Sequence, residues 1–175
     1  MSDVNVFEPD WDAEGPDPFR GRIMRVGHRA GAGELGATLY ELDPGGATSP
    51  YHLHHGNEEL LVVLDGRPSL RTPSGTRELA PGAIVAFPRG KDGAHRVFNA
   101  SDGRARVLIV STMNYLEVAE HVDTGTVLAI TEPSQALAFP AGTDKPVMEA
   151  VVAAMRAAAE PDGGEEPGGA QPPGT

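Results

Sequence analysis

The feature that most constrains this chain is a succession of short apolar runs, each closed by a turn signal. GATLYEL, SPYHLH, EELLVVLD, PSLRT, TRELA, AIVAFP, AHRVFN and ARVLIVST follow one another. Between them lie DPGG, HGN, DGR, PSGT, PGA, RGKDG and ASDGR, each supplying Gly or Asn where a turn wants positive φ. Runs rich in Val, Leu, Ile, Thr and Tyr at this spacing, with no helix between them, predict an antiparallel sandwich or barrel. The predicted barrel occupies residues 22–131.

Histidines are concentrated within that region. His52 and His54 stand two apart on one run, so in an extended strand both rings point to the same face. A tight turn, His55-Gly56-Asn57, separates them from Glu58 and Glu59 at the head of the next run, which returns a carboxylate beside the two imidazoles. His95 lies on a later run and completes a candidate set of four. Three imidazoles and one carboxylate suit a borderline divalent ion such as Mn, Fe, Ni or Zn, and are too rich in nitrogen for Mg or Ca. Spacing alone leaves Glu58 and Glu59 both open.

These residues fall into two motifs that resemble the cupin signature. The first reads Gly46-ATSPY-His52-Leu-His54-HGNE-Glu59-LLVVLD-Gly66, and its six-residue gap to Gly66 favours Glu59 over Glu58. The second reads Gly82-AIVAF-Pro88-Arg-Gly90-KDGA-His95-RVF-Asn99, with two more residues between Gly90 and His95 than the family pattern has. An even insertion preserves the in/out parity of the following strand, so His95 still faces inward. The resemblance implies an all-β double-stranded β-helix, or jelly-roll, cupin barrel with His52, His54, Glu59 and His95 at the metal-ligand positions. It also implies a small-molecule ligand and pairing as a homodimer. The alternative is a barrel whose ligand positions are vestigial.

The other residues carry less. Gly46, Gly66 and Gly82 read as backbone necessities at turns, Asn99 as a strand-end bond-former, and His55, His28 and His121 as surface. Tyr40, Tyr51, Phe87, Phe98 and Met113 are candidates for a pocket mouth or for ordinary core. Arg71, Arg89 and Arg96 are possible clamps for an anionic substrate. Residues 1–21 are acidic and Pro-rich, and are expected to form an extended arm. A stripe of Val147, Met148, Val151 and Met155 after Asp144 and Pro146 predicts one C-terminal α-helix over 144–160. Residues 161–175 hold too little apolar surface to order and are expected to be disordered.

Composition excludes several functions. No cysteine is present, which removes disulfides, thiolate zinc sites and a cysteine nucleophile. A net charge of −11, with no basic patch, opposes nucleic-acid binding. No apolar run approaches a membrane span and the first residues lack a signal-peptide pattern, so a cytoplasmic protein without a membrane partner is expected. A divalent metal beside a small ligand admits isomerisation, hydrolysis or oxygenation. It is equally compatible with a module that binds or senses a ligand without turning it over.

Overall fold

A computed structural model describes residues 3–132 and 135–140. In chain order the elements are β1 (Ala13–Gly15), β2 (Gly21–Met24), α1 (Val26–Ala30), β3 (Gly36–Leu42), β4 (His52–His54) and β5 (Glu59–Asp65). Next come β6 (Ser69–Thr72), β7 (Gly75–Glu78), β8 (Ile84–Phe87), β9 (Arg96–Phe98) and β10 (Ala105–Ser111). β11 (Glu117–His121), β12 (Thr126–Glu132) and β13 (Gln135–Pro140) complete the series. The predicted helix over 144–160 and the tail over 161–175 lie outside the described residues.

All strand pairs among the described residues are antiparallel. One sheet runs β1-β2-β3-β10-β5-β8, and two smaller ones run β13-β12-β11-β4 and β7-β6-β9. Isolated bridges between His52 and His95 and between Ala47 and Phe98 join the smaller sheets into a second wall. The two walls enclose a core of Leu42, Leu61, Val63, Leu70, Leu79, Phe87, Val97, Val107 and Ile109. Complete burial of side chains of this size contributes about 1.5–3 kcal/mol each. This is an antiparallel all-β fold, as the spacing of the runs predicts, in the jelly-roll form that the resemblance implies.

Period-two alternation fixes which residues face inward. On β5, Leu61 and Val63 are buried while Leu60 is exposed, so Glu59 shares the inner face with the core residues. β10 alternates in the same way, burying Ala105, Val107 and Ile109.

The segment expected as an extended arm supplies the sheet's edge instead. β1 pairs with β2, and β2 with β3. Leu39 and Glu41, which alternate with the core-facing Tyr40 and Leu42, are buried as well. Glu41, only 6% exposed, sits between Arg22 and Arg106 on the flanking strands. Both guanidiniums bond to its carboxylate and both lie over the ring of Trp11. Burial alone would raise the Glu41 pKa, but the hydrogen bonds from Arg106 and Arg22 more than offset this and hold it below the usual range.

The helix α1 escaped the sequence reading because five residues carry no periodicity. Its end is nonetheless legible, in a left-handed Gly31 at φ 80°.

Candidate metal centre

His52 and His54 project from β4 to the inside of the barrel, where β4 faces β11. The turn at residues 55–57 reverses the chain so that Glu59 opens β5 beside them. Glu58 is exposed, so the parity of β5 settles which of the two adjacent glutamates points inward.

His95 arrives by a different device. Gly90 adopts φ 79°, and Lys91–Gly93 wind into a single 3-10 turn that takes up the two extra residues of the second motif. His95 then exchanges both backbone hydrogen bonds with His52, at 3.0 and 2.8 Å.

The four side chains converge. His52, His54 and Glu59 offer ligand atoms within 4.8 Å of one another, a group that could hold a metal ion. His95 Nε2 lies 3.1 Å from Glu59 Oε2, and His54 Nε2 lies 3.5 Å from the same oxygen. The His52 ring centroid is 4.5 Å from that of His95 and 4.8 Å from that of His54.

Hydrogen bonding sets the tautomers. His95 Nδ1 is 2.9 Å from the Gly93 carbonyl, and His52 Nδ1 is 3.0 Å from the Pro50 carbonyl. A carbonyl only accepts, so each Nδ1 carries a proton, which leaves Nε2 as the ring nitrogen available to a metal ion. Phe87 stacks on His95 at 3.7 Å and fixes the plane of that ring.

The ring nitrogens supply the test of whether an ion fits. His54 Nε2 and His95 Nε2 are buried and have no hydrogen-bond partner. Buried polar groups are ordinarily paired, because an unpaired one costs about 1–3 kcal/mol. Two orphaned ring nitrogens beside a carboxylate fit a cation of the borderline transition series.

Electrostatics agree with that fit. Burial, reinforced by repulsion from His95 and His54, pushes the His52 pKa down to about 4, so the imidazole stays neutral. Burial alone would raise Glu59, but the contact with His95 and the nearby imidazoles holds it below the usual carboxylate range.

A cavity of about 180 Å3 adjoins this cluster, between His54 and Glu59 on one side and Tyr40, Ile109, Met113 and Ile130 on the other. Thr38, Asn57, Ser111, Asn114, Tyr115 and the Glu117 carboxylate supply the rest of its polar wall, and none of the described residues lining it is Lys or Arg. Burial, then the nearby Glu59 carboxylate, pushes the Tyr40 hydroxyl up to about 12, which keeps it protonated. Larger clefts exist, the first of about 380 Å3 between Glu14, Asp17, Arg20 and Arg104. Arg20 pairs there with Asp17 and Arg104 with Asp43, and none of its lining residues belongs to the His/Glu cluster, so size alone does not mark the site.

The remaining candidates separate clearly. Tyr40 and Met113 line the cavity, whereas Tyr51 and Phe87 are buried in the apolar clusters. Phe98 lies under the Arg96 guanidinium. Arg71 forms a two-bond pair with Asp123 and covers Tyr51, and Arg89 is exposed. None of the three arginines lines the cavity. Asn99 is fully buried and bridges Leu42, Ser101 and Gly103. His55 is exposed and pairs with Glu120. His28 is exposed too.

His121 is not the surface residue it was expected to be. It is half-buried, opposite His52 on β11, with its ring 6.2 Å away. Burial, and then His54, lower its pKa.

Sequence reasoning also missed Glu117, which is 3% exposed and faces the same interior. The strand β11 reads EVAEH, and three ionisable residues in five conceal an inward face. The alternation 117, 119, 121 was the signal that could have revealed it.

The fold and the inward His/Glu cluster define a jelly-roll barrel with a candidate metal centre. Residues 38–111 match the family described as the cupin domain.

Solved structures agree on the fold. A sugar phosphate isomerase of the cupin superfamily from Silicibacter pomeroyi aligns at 23% identity with a TM-score of 0.69, covering 82% of this chain and 99% of that one. A protein from Acidithiobacillus ferrooxidans, provisionally given the same activity, aligns at 21% identity and a TM-score of 0.69 over 77% of this chain and 87% of that one. The polyketide cyclase RemF from Streptomyces resistomycificus aligns at 24% identity and a TM-score of 0.52, covering 65% and 80%. No curated protein matches the chain.

Proposed function

We propose that the chain is a metal-dependent enzyme acting on a small, uncharged, oxygenated molecule, with His52, His54, Glu59 and His95 as ligands of one divalent transition ion. The observation that carries this reading is the convergence of two buried, unpartnered imidazole nitrogens on the Glu59 carboxylate. A divalent ion bound there supplies Lewis acidity to an oxygen in the adjoining cavity.

The chain's own residues supply the rest. Tyr40 holds a proton against a substrate oxygen, because burial keeps its phenol neutral. Thr38, Ser111, Asn57 and Asn114 orient hydroxyl or carbonyl groups, while Ile109, Met113 and Ile130 exclude water.

Volume and charge narrow the substrate. A cavity of about 180 Å3 has the volume of about six waters at ~30 Å3 each, which suits a molecule of a few carbons. With no Lys or Arg among the described lining residues, the cavity has no side-chain clamp for a phosphate. The substrate class is therefore an unphosphorylated hydroxy-carbonyl compound, and a proton-shifting isomerisation is the reaction that the Tyr40 hydroxyl suits. Structures of this fold carry names as different as isomerase and cyclase, so the reading rests on the site.

The test is metal content by mass spectrometry on untagged protein beside a His52→Ala/His95→Ala double variant. A stoichiometric transition metal that is lost in the variant is expected. Protein that contains none and takes up none of Mn, Fe, Ni or Zn overturns the reading in favour of a metal-free binding module.

A further inference from the structure

His54 differs from the other two imidazoles in what lies behind it. His52 and His95 each give their Nδ1 proton to a backbone carbonyl. His54 has no such acceptor, and both its ring nitrogens are buried without a hydrogen bond. Its Nε2 faces Glu59 at 3.5 Å, and its Nδ1 faces Glu117 Oε1 at 3.6 Å.

Glu117 is itself immobilised. Its Oε1 accepts the backbone N–H groups of His55 and Gly56 at 3.1 and 3.2 Å, and its Oε2 accepts the Asn57 side-chain amide. Asn57 is anchored in turn, accepting from Asn114 N at 2.6 Å and from Thr112 Oγ1 at 3.1 Å. The turn between the two halves of the first motif is thereby locked around this carboxylate.

We propose that Glu117 is a positioning residue of the metal centre: it holds the His54 proton on Nδ1, so that Nε2 presents its lone pair beside Glu59. The inference rests on the metal-dependent reading above. Its physical basis is Coulombic. A cation shared by Nε2 and Glu59 would remove the repulsion between that lone pair and the Glu59 carboxylate 3.5 Å away, which leaves the proton on Nδ1, where the Glu117 carboxylate 3.6 Å away attracts it. A carboxylate behind a ligating imidazole also raises the basicity of the ligating nitrogen.

Charge counting points the same way. Among the described residues, the ion-pair contacts of Glu59 and Glu117 run to histidine alone. Two carboxylates therefore face the imidazoles, and no Lys or Arg among the described residues is paired with either.

The experiment combines two measurements on the full chain. Isothermal titration with Co2+ compares wild type with Glu117→Gln, and separately compares His54→Ala with His54→Ala/Glu117→Gln. Loss of the second carboxylate is expected to weaken Co2+ binding about 10–100-fold in the wild-type background. It should have almost no effect once His54 is gone. Equal losses in both backgrounds would mean that Glu117 only braces the fold, and undiminished binding in Glu117→Gln would also overturn the proposal.

Should the variant not fold, long-range 1H–15N spectra of Zn2+-loaded wild type decide the matter. They are expected to show His54 protonated at Nδ1, and protonation at Nε2 refutes the assignment. If wild type binds neither Co2+ nor Zn2+, the metal reading itself fails. If it binds both and Glu117 makes no difference, only the positioning role fails.

Discussion

His52 shows how one buried side chain couples folding to pH. It is 8% exposed, and its pKa falls from 6.5 to about 4 because burial and two neighbouring imidazoles oppose its charge. The unfolded chain therefore binds a proton at this position that the folded chain refuses between those values. Stability from this group is complete above pH 6.5 and is lost as pH falls toward 4. At about 1.4 kcal/mol per pH unit, the whole window is worth up to about 3 kcal/mol. Guanidinium midpoints of metal-free protein at pH 7.5, 6, 5 and 4.5 should fall steadily, and the profile of His52→Ala should be flatter. An equally steep profile in that variant would place the acid sensitivity elsewhere. His121 adds in the same direction, since its pKa is also lowered.

The elements owe their inward and outward faces to parity, and their ends to a few special backbone positions. Gly66 closes β5 with φ 75°, and a Cβ there would stand 2.4 Å from the Arg104 carbonyl oxygen. Gly82 has φ 84° with no atom within 4 Å of its virtual Cβ. The comparison separates two costs. Gly82→Ala meets only left-handed backbone strain, about 1–2 kcal/mol. Gly66→Ala adds a steric clash of about 1–3 kcal/mol, because the opposing atom belongs to the backbone and cannot rotate away. Urea unfolding of both variants should therefore rank Gly66→Ala as the more damaging. Equal losses would show that the turn before β6 can shift. The 3-10 turn at Lys91–Gly93 obeys the same logic: Pro88 closes so tightly on Gly93 that a Cβ would lie 1.7 Å from its carbonyl oxygen.

Across the whole molecule, the candidate centre bridges the two walls of the barrel. Glu59 comes from one sheet, while His52, His54 and His95 come from the other. An ion bound to all four clamps the walls together, and a ligand that binds only the folded state stabilises it by mass action. At about 100-fold excess over Kd the gain is about 2.7 kcal/mol, or about 5–10 °C in Tm for a chain of this size. Differential scanning fluorimetry with Co2+ should show that rise, with reversal by EDTA and no rise in His52→Ala/His95→Ala. A Tm indifferent to the ion would mean that the walls are not bridged. Much of this was legible in the chain itself. Period-two alternation and glycine-marked turns are local consequences of backbone sterics, so the strands β3 to β10, the antiparallel sandwich-or-barrel class and the inward pair His52 and His54 follow from residue order. The choice of Glu59 needed only the parity of β5 once that strand's start was known. Glu117 and His121 were different, because both lie on a strand rich in ionisable residues that reads as surface. Their burial depends on β11 pairing with β4, a contact between segments more than sixty residues apart. The absence of a cation from the cavity wall was likewise invisible, since an arginine's direction depends on which strand receives it. Local sterics write the strands into the sequence, whereas long-range pairing decides what stands behind each ligand and what faces the substrate.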